Sequence, residues 1–227
     1  AQKTTTTLAE HIVEVISDSG EGAQKAGQTF GTVCAKLGNG VWTVEIIPAE
    51  IKPPARSRAG ASGIRVRFAN RPVTNRGERA HLAVAFNEQV LYGRIANGAY
   101  GPGTVVLLES KWADDAQEEI RTQYRDAVAD FRAHGLEVVE LPLEAACLEV
   151  IPDPRVGKNM FVVGMLCEIF NRDLEKALDE VRAVLGRKGP EVVRLNQELV
   201  RRGWAFAERH VPFAWDVAAQ ASLEPQL

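Results

Sequence analysis

Residues 17–22, SDSGEG, form a turn that could bind a phosphate, since they stand between a β-branched run and a helix-like segment. Glycine-bearing turns of this kind expose backbone N–H groups at the positive end of a helix, where anions bind. Asp18 and Glu21, however, place two carboxylates beside that position, and each repels a phosphate by about 1 kcal/mol even in a high dielectric. We therefore expect the turn to keep its geometry, with Ser19 and Gly20 as cofactor contacts, but not to hold a free nucleotide by itself. Asp18 or Ser19 is expected to cap the following helix.

A second segment with binding chemistry is the basic loop over residues 48–67, PAEIKPPARSRAGASGIRVR. Prolines stiffen its backbone and glycines let it turn, and its basic side chains include Lys52, Arg56, Arg58 and Arg65. A loop this long inside a compact domain is more often functional than idle, and arginine binds phosphate through two parallel hydrogen bonds. Arg56, Arg58 and Lys52 are therefore candidate contacts for an anionic ligand. Salt bridges to a neighbouring subunit, or a solvated crossing loop, are the alternatives.

The remaining reactive residue types show no catalytic spacing. None of the four histidines stands at metal-ligand spacing from another, and His81 and His134 border predicted elements, which favours surface or capping roles. No G-x-S-x-G elbow marks a nucleophilic serine. The three cysteines are far apart in apolar sequence, which favours reduced thiols in a cytoplasmic core, with Cys34 facing the sheet. The isolated chain is therefore not expected to be catalytic or to bind a metal.

Composition limits the class of protein. The chain has 227 residues, 45% of them hydrophobic, which is enough for one large domain with a sizeable core. A formal net charge of −3 argues against a nucleic-acid binder. No apolar run approaches the roughly 20 residues of a membrane span, and the polar start AQKTTTTLAEH lacks the apolar stretch of a signal peptide. These features favour a cytoplasmic protein.

Strand-like and helix-like segments alternate through the first two thirds of the chain. One helix is predicted over residues 21–37, with small residues along one side for close packing on a sheet, namely Ala23, Ala26, Gly27, Gly31 and Ala35. A long polar helix is predicted over residues 114–135, with acidic residues in its first turn and Gly135 at its end. β-rich runs predict strands at 11–17, 41–47, 63–68, 81–86, 104–110 and 136–142. The alternation predicts a Rossmann-like α/β fold with a mostly parallel sheet and flanking helices, in which the first two strands are parallel neighbours.

From residue 158 onwards the pattern is helical, with helices predicted over 158–170, 173–186 and 190–210. We divide the chain into an α/β core at residues 1–157, a C-terminal helical annex of the same domain at 158–210, and a tail or linker at 211–227. The tail is expected to pack poorly by itself after Phe213, with Trp215 free to anchor on a partner.

The order of these motifs resembles one family. The glycine-bearing turn and its small-residue helix are followed by GNGVWTVEIIPAEIKPPARSRAGASGIRVRF at 38–68, GKNMFVVGMLCEIF at 157–170 and RKGPEVVRLNQELVRRGW at 187–204. This order is similar to the gamma domain of 2-oxoacid:acceptor oxidoreductases, and it extends over residues 11–208. Two motifs depart from the family pattern: the turn usually reads GxGGQG, and the basic stretch usually contains RGG where this chain has ARSRAGAS.

The resemblance implies a function in a complex. Enzymes of this family use thiamine diphosphate to decarboxylate and oxidise a 2-oxoacid to acyl-coenzyme A and CO₂, and pass the electrons to ferredoxin or a similar acceptor. It implies thiamine-binding alpha and beta subunits and iron–sulfur subunits as partners, and thiamine diphosphate with Mg²⁺, iron–sulfur clusters and coenzyme A as cofactors. This chain alone is expected to hold none of them, because it has no GDG-type thiamine diphosphate motif and no CxxC-type cluster spacing.

The resemblance also suggests functions for individual residues. The gamma domain helps to shape the entry of coenzyme A, which makes Arg56 and Arg58, and then Lys52, candidate contacts for that cofactor. Lys158 and Asn159 match the family's KN pair, for which we expect a structural or interface function. The C-terminus has the aromatic content that interfaces favour, in Trp204, Phe206, Phe213 and Trp215. Trp204 and Phe206 are also suited to complete the helical core.

Two other classes of protein remain open from sequence. A free-standing Rossmann-like reductase would bind a dinucleotide at residues 15–27 and would need an acidic residue at the end of the second strand for the ribose. Glu45 is the nearest candidate, although it lies within that strand and the turn lacks the GxGxxG glycines. A non-enzymatic scaffold of the same fold is the other alternative.

Overall fold

The computed structural model describes residues 3–153 and 156–221, which form an α/β fold around one six-stranded sheet. The sheet order is β3-β4-β2-β5-β6-β7, and a separate two-stranded sheet pairs β1 with β8. The strands are β1 Thr5–Leu8, β2 Glu10–Ser17, β3 Gly40–Ile46, β4 Ser62–Ala69, β5 Leu82–Ala85, β6 Val105–Glu109, β7 Glu137–Leu141 and β8 Ala214–Val217.

Helices cover both faces of the six-stranded sheet. They are α1 Ala23–Lys36, α2 Gln89–Ala96, α3 Glu118–Ala133, α4 Leu143–Leu148, α5 Lys158–Ile169, α6 Leu174–Leu185 and α7 Pro190–His210. One face packs against α1 and the C-terminal helices in the larger apolar core, and the other packs against α2 and α3 in a smaller core. None of the described helices is both long and apolar enough to span a membrane.

The α/β fold class with a mostly parallel sheet is confirmed, but one predicted strand pairing is wrong. The pairs β2–β5, β5–β6 and β6–β7 are parallel, whereas β4 is antiparallel to both of its neighbours. Because β4 lies between β2 and β3, the strands predicted at 11–17 and 41–47 point the same way without being neighbours. Hydrophobic periodicity identifies strands but carries no information on which strand lies beside which.

Helix α1 lies close to β4 because small residues face the sheet, as the sequence predicts. A Cβ added to Gly27 would lie 2.0 Å from the Cγ2 atom of Ile64, so only glycine allows this approach. Ala23, Ala26 and Gly31 are buried on the same face. The inclusion of Ala35 in this face is wrong, since its side chain is exposed at the end of the helix.

The C-terminal third packs onto the core. Every residue of α5 except Asn159 and Glu168 is buried, because α1, α4, α6 and α7 surround it. The prediction that the chain packs poorly after Phe213 is wrong for β8, which pairs with β1 in parallel. Trp215 stacks on Phe213 with ring centroids 4.5 Å apart. The division into core, annex and tail remains a prediction, and residues 222–227 of that tail lie outside the described residues.

The predicted interface aromatics pack inside the chain itself. Phe206 is buried and contacts Phe161 edge-on at 5.3 Å, and Trp204 is half-buried against the larger core. Trp215 also packs on Phe170, with ring centroids 5.5 Å apart. Their use in an interface therefore remains a prediction, and completion of the core accounts for all of these contacts.

Candidate functional site

The turn 17–22 lies where the parallel strands β2, β5 and β6 end, which is the edge of an α/β sheet where ligands bind. Gly20 and Gly22 adopt positive φ angles of 93° and 86°, a conformation that favours glycine. Gly22 is the N-cap of α1, and no side chain caps this helix. The predicted capping by Asp18 or Ser19 is therefore wrong, and the first N–H groups of α1 have no side-chain acceptor in the part of the chain that the structure describes.

Both carboxylates of the turn have partners within the chain. The Oδ2 atom of Asp18 accepts a hydrogen bond of 2.9 Å from the backbone N–H of Arg56. The Oε1 atom of Glu21 accepts from Nζ of Lys158 at 2.7 Å. Lys158 compensates the charge of Glu21, which reduces the repulsion expected from the sequence. The backbone donor at Asp18 is neutral and leaves that carboxylate uncompensated.

Lys158 is the centre of a buried charge network at this edge. Its Nζ atom also donates to Glu144 at 3.2 Å, and its side chain is 3% exposed. Burial alone would lower the pKa of Lys158, but Glu21 and Glu144 together raise it. Burial raises the pKa of Glu109, whose two carboxylate oxygens accept from the backbone N–H groups of Lys111 and Glu144 at 2.9 and 2.7 Å. The structural function expected for Lys158 agrees with this network.

A cleft of about 410 Å³ opens between the turn and the C-terminal helices. Two helices begin at it, α1 after Gly22 and α5 after Gly157, and neither glycine provides a side-chain cap. In the first turn of α5, the N–H of Met160 donates to Oδ1 of Asn159 at 2.8 Å. Lys25 and Lys188 line the cleft, and neither forms an ion pair within the described residues. The remaining lining residues are Gly20, Glu21, Val156, Asn159, Met160, Leu185, Val192 and Asn196. The arrangement offers two cationic side chains and two helix N-termini to an anion.

The basic loop lies against the same turn, and its arginines are engaged. The guanidinium of Arg56 makes a two-pronged ion pair with the fully buried Glu88, with Nη1 at 3.1 Å from Oε2 and Nη2 on Oε1. It also lies 4.1 Å from the centre of the Trp112 ring. Arg58 stacks on Tyr92 at the same distance.

The other candidate residues of the turn and the basic loop differ in their exposure to solvent. Lys52, Ser19 and Gly20 are exposed, so all three are accessible to a ligand, and only Gly20 lines the cleft. Arg65 does not belong to the loop. It lies in β4, is 3% exposed and donates from Nε to Glu14 at 2.7 Å.

Glu14 holds a buried polar cluster that the sequence reasoning did not identify. This fully buried carboxylate in β2 accepts hydrogen bonds from Arg65, from Arg94 at 2.6 Å and from the hydroxyl of Tyr100 at 2.7 Å. The signal was present in the sequence, since a lone glutamate inside a buried strand requires cationic partners. The cluster fixes α2 on the sheet and lies away from the cleft lining.

The histidines lie outside the lining of the cleft. His11 is buried at the amino end of β2 with its ring 4.8 Å from that of His81, and burial together with His81 lowers the pKa of His11 well below its usual value. Burial lowers the pKa of His81 as well, and its Nδ1 accepts from the N–H of Ile12 at 3.0 Å. His134 is the C-cap residue of α3 and contacts the carbonyl of Asp130. The capping functions predicted for His81 and His134 fit these contacts.

The cysteines belong to the core rather than to the cleft lining. All three cysteines are free and buried, as predicted for Cys34, and burial raises the pKa of Cys34 and Cys147 to about 12. Among residues 3–153 and 156–221, no three His, Cys, Asp or Glu side chains are grouped to hold a metal ion. Glu45, the ribose candidate of a reductase, lies in the edge strand β3 and accepts from Gln28 at 3.0 Å.

Comparison with known proteins gives relatives of one kind. The chain is 27% identical over 209 residues to the 2-oxoglutarate oxidoreductase subunit KorA of Mycobacterium tuberculosis, covering 88% of this chain and 31% of that subunit. It is 25% identical, with a TM-score of 0.73, to a 2-oxoglutarate:ferredoxin oxidoreductase of Magnetococcus marinus solved with 2-oxoglutarate, coenzyme A and succinyl-CoA bound. That match covers 94% of this chain and 34% of the solved one. The chain thus spans about a third of the length of these two relatives.

Two further solved structures share the fold over nearly their whole length. One is the gamma subunit of a keto/oxoacid ferredoxin oxidoreductase of Geobacter sulfurreducens, with a TM-score of 0.64, 15% identity, and coverage of 89% of this chain and 99% of that subunit. The other is the pyruvate oxidoreductase subunit PORC of Thermotoga maritima, with a TM-score of 0.61, 14% identity, and coverage of 88% and 97%. Residues 14–206 match the family described as pyruvate ferredoxin/flavodoxin oxidoreductase. The chain therefore belongs to the pyruvate ferredoxin/flavodoxin oxidoreductase family and has the fold of its gamma subunits.

Proposed function

We propose that this chain is the gamma-type part of a thiamine-diphosphate-dependent complex that oxidises a 2-oxoacid to acyl-coenzyme A and CO₂, with ferredoxin or a similar acceptor. The observation that carries the proposal is the family match over residues 14–206. The two relatives that match about a third of their length support a complex in which further segments or subunits carry the rest of the chemistry. The proposed partners are thiamine-binding alpha and beta subunits and an iron–sulfur subunit.

The chemistry of the described residues supports a non-catalytic function for this chain. Its thiols are buried with raised pKa values, and its histidines pack on neighbouring rings or cap backbone groups. Thiamine diphosphate and the iron–sulfur clusters would supply decarboxylation and electron transfer from partner chains. What remains for this chain is to bind and orient a substrate.

Coenzyme A is the substrate whose chemistry fits the cleft. Its adenosine 3′,5′-bisphosphate end carries several negative charges, and the cleft offers Lys25, Lys188 and the N-termini of α1 and α5. Gly22 must lack a side chain here, since an added Cβ would lie 3.0 Å from Nδ2 of Asn159. We therefore place the phosphates beside Gly20, Lys25 and Lys188, with Ser19 as an outer contact. Lys52 and Arg58 of the basic loop would contact the rest of the molecule on the other side of the turn.

Arg56 has a different function in this proposal. Its guanidinium neutralises Glu88 and stacks on Trp112, while its backbone N–H donates to Asp18 and joins the basic loop to the turn. These contacts account for the arginine without a phosphate, whereas the charge of Lys52 is free within the described residues to attract an incoming anion.

The assembled enzyme tests this function. We expect the complex purified from its native source to contain this chain together with larger chains that carry thiamine diphosphate and iron–sulfur clusters, and to form acyl-coenzyme A from a 2-oxoacid. Reconstitution without this chain should abolish coenzyme A-dependent turnover, and the chain alone should be inactive. A lone protein that is yellow or responds to NADH would instead support a reductase.

A further inference from the structure

At the basic loop, three polar side-chain atoms are buried without a hydrogen-bond partner among the described residues. They are Oδ1 of Asp18, Oγ of Ser57 and Nδ2 of Asn87. Burying one such atom unsatisfied is costly, and each therefore needs an explanation. Asn87 is fully buried, so bulk water does not reach its amide.

The contacts around these atoms place them in one location. Ile16 of β2 pairs with Ala85 of the neighbouring strand β5. Asp18 and Asn87 each lie two residues after one member of this pair, so both stand just past the ends of these strands. Arg56 joins both to the loop, because its N–H donates to Asp18 and its guanidinium binds Glu88 beside Asn87. Ser57 is the next residue of that loop. The three atoms thus lie at the carboxyl edge of the parallel strands, next to the turn 17–22.

The hydrogen bonds already present determine which of the three atoms can donate and which can accept. The Oδ1 atom of Asn87 accepts from the N–H of Val90 at 3.2 Å, which orients the amide and makes Nδ2 the free donor. Asp18 already uses Oδ2 with Arg56, so its Oδ1 is a free acceptor. The hydroxyl of Ser57 can donate or accept. A secondary amide, with one N–H donor and one C=O acceptor, complements this set.

We propose that these atoms bind an amide of the pantetheine arm of coenzyme A, and that residues 48–61 of the basic loop close over it. This inference rests on the proposed function, since the phosphates of the same molecule would lie in the cleft on the other side of the turn. The amide N–H would donate to Asp18, and its carbonyl, which has two lone pairs, would accept from Asn87 and from the hydroxyl of Ser57. Pantetheine contains two secondary amides, whereas the adenosine bisphosphate end contains none.

Entry of the arm requires the loop to move, because the three atoms have no access to solvent. The side-chain contacts that hold residues 48–61 in place include the ion pair between Arg56 and Glu88, the stacking of Arg56 on Trp112 and the stacking of Arg58 on Tyr92. Arg56 has a positive φ of 56°, which a non-glycine residue adopts only at some cost in free energy. The closed loop is therefore held by side-chain contacts rather than by backbone preference.

Calorimetric titration of the purified complex with coenzyme A and with adenosine 3′,5′-bisphosphate tests the inference. In the Asp18→Asn variant the side chain still accepts from Arg56, but an amide donor replaces the free acceptor. We expect coenzyme A to bind about tenfold more weakly, while the bisphosphate binds as well as before or more tightly, because a negative charge has been removed. Asp126→Asn on the exposed face of α3 makes the same charge change and should alter neither affinity.

The outcomes separate the two proposals. If Asp18→Asn raises or lowers the affinity for both ligands equally, Asp18 acts only through its charge or the structure of the turn. The proposed pantetheine site is then wrong, while the proposal that the chain binds coenzyme A stands. If neither ligand binds the parent complex, both proposals fail. Should Asp18→Asn not fold, Ser57→Ala decides: a loss of coenzyme A affinity without loss of bisphosphate affinity supports the site, and unchanged coenzyme A affinity overturns it.

Discussion

Replacing Gly203 by alanine is expected to destabilise the protein by about 3 kcal/mol, the upper part of the range for overpacked cores. The added Cβ would lie 1.9 Å from the backbone oxygen and 2.8 Å from the carbonyl carbon of Phe161. Gly164 shows the reciprocal contact, with a Cβ 2.0 Å from the backbone oxygen of Val200. Because both obstacles are backbone atoms, α5 and α7 would have to separate, and α5 is the buried helix on which the cleft is built.

Thermal and denaturant unfolding measure this effect. For a chain of this size, each 1 kcal/mol corresponds to roughly 2–4 °C in Tm. Gly186→Ala is the matched control, since Gly186 has a helical φ of −54° and an added Cβ would meet nothing within 4 Å. We expect that control to be neutral or slightly stabilising. A loss below about 1 kcal/mol for Gly203→Ala would mean that the two helix backbones are not in contact.

Arg56→Ala is expected to lower stability by about 3–5 kcal/mol, the cost of leaving a buried carboxylate without its partner. Glu88 is fully buried, and the guanidinium of Arg56 contacts both of its oxygens. The variant should therefore show a fall in the free energy of unfolding before any change in the kinetics of coenzyme A. Arg58→Ala should be milder, because Arg58 is exposed and stacks on Tyr92 without an ion pair within the described residues.

A double-mutant cycle with Glu88→Gln separates the ion pair from the packing on Trp112. Removing the charge of Glu88 should recover much of the stability that Arg56→Ala loses, because no unpaired carboxylate then remains. Arg125→Ala serves as control, since its partner Glu118 is largely exposed and such pairs contribute at most about 1 kcal/mol. Equal effects of Arg56→Ala and Arg125→Ala would contradict a buried ion pair.

Local patterns in the sequence predicted most of the elements. The helix predicted over residues 190–210 has the same bounds as α7, and Gly135 ends α3 with a positive φ of 82° as expected. Helix α2 was missed, although Asn87 before it and Gly98 after it, with φ 68°, are signals of a helix start and stop. The strand β8 was missed because its four residues show no alternation and pair with a strand more than 200 positions earlier.

The site was harder to predict, because its properties depend on partners distant in sequence. From the sequence, Arg56 was predicted to be available for an anionic ligand. In the structure its charge is neutralised by Glu88, 32 residues later. The acidic turn looked repulsive because Lys158, 137 residues away, is not visible from the turn. Lys25 and Lys188 were not selected, since only the packing of α1 against the C-terminal helices brings them to one cleft.

The steady-state KM for coenzyme A in a complex carrying Lys25→Ala and Lys188→Ala tests most directly whether this chain receives coenzyme A. If the two lysines bind its phosphates, the KM for coenzyme A should rise about tenfold, equivalent to about 1.4 kcal/mol, and the KM for the 2-oxoacid should stay within about twofold. High salt should weaken coenzyme A binding to the parent more than to the variant. Lys176→Ala, an exposed lysine on α6, should change neither constant. An intact complex whose KM for coenzyme A is unchanged by the double substitution would contradict the account.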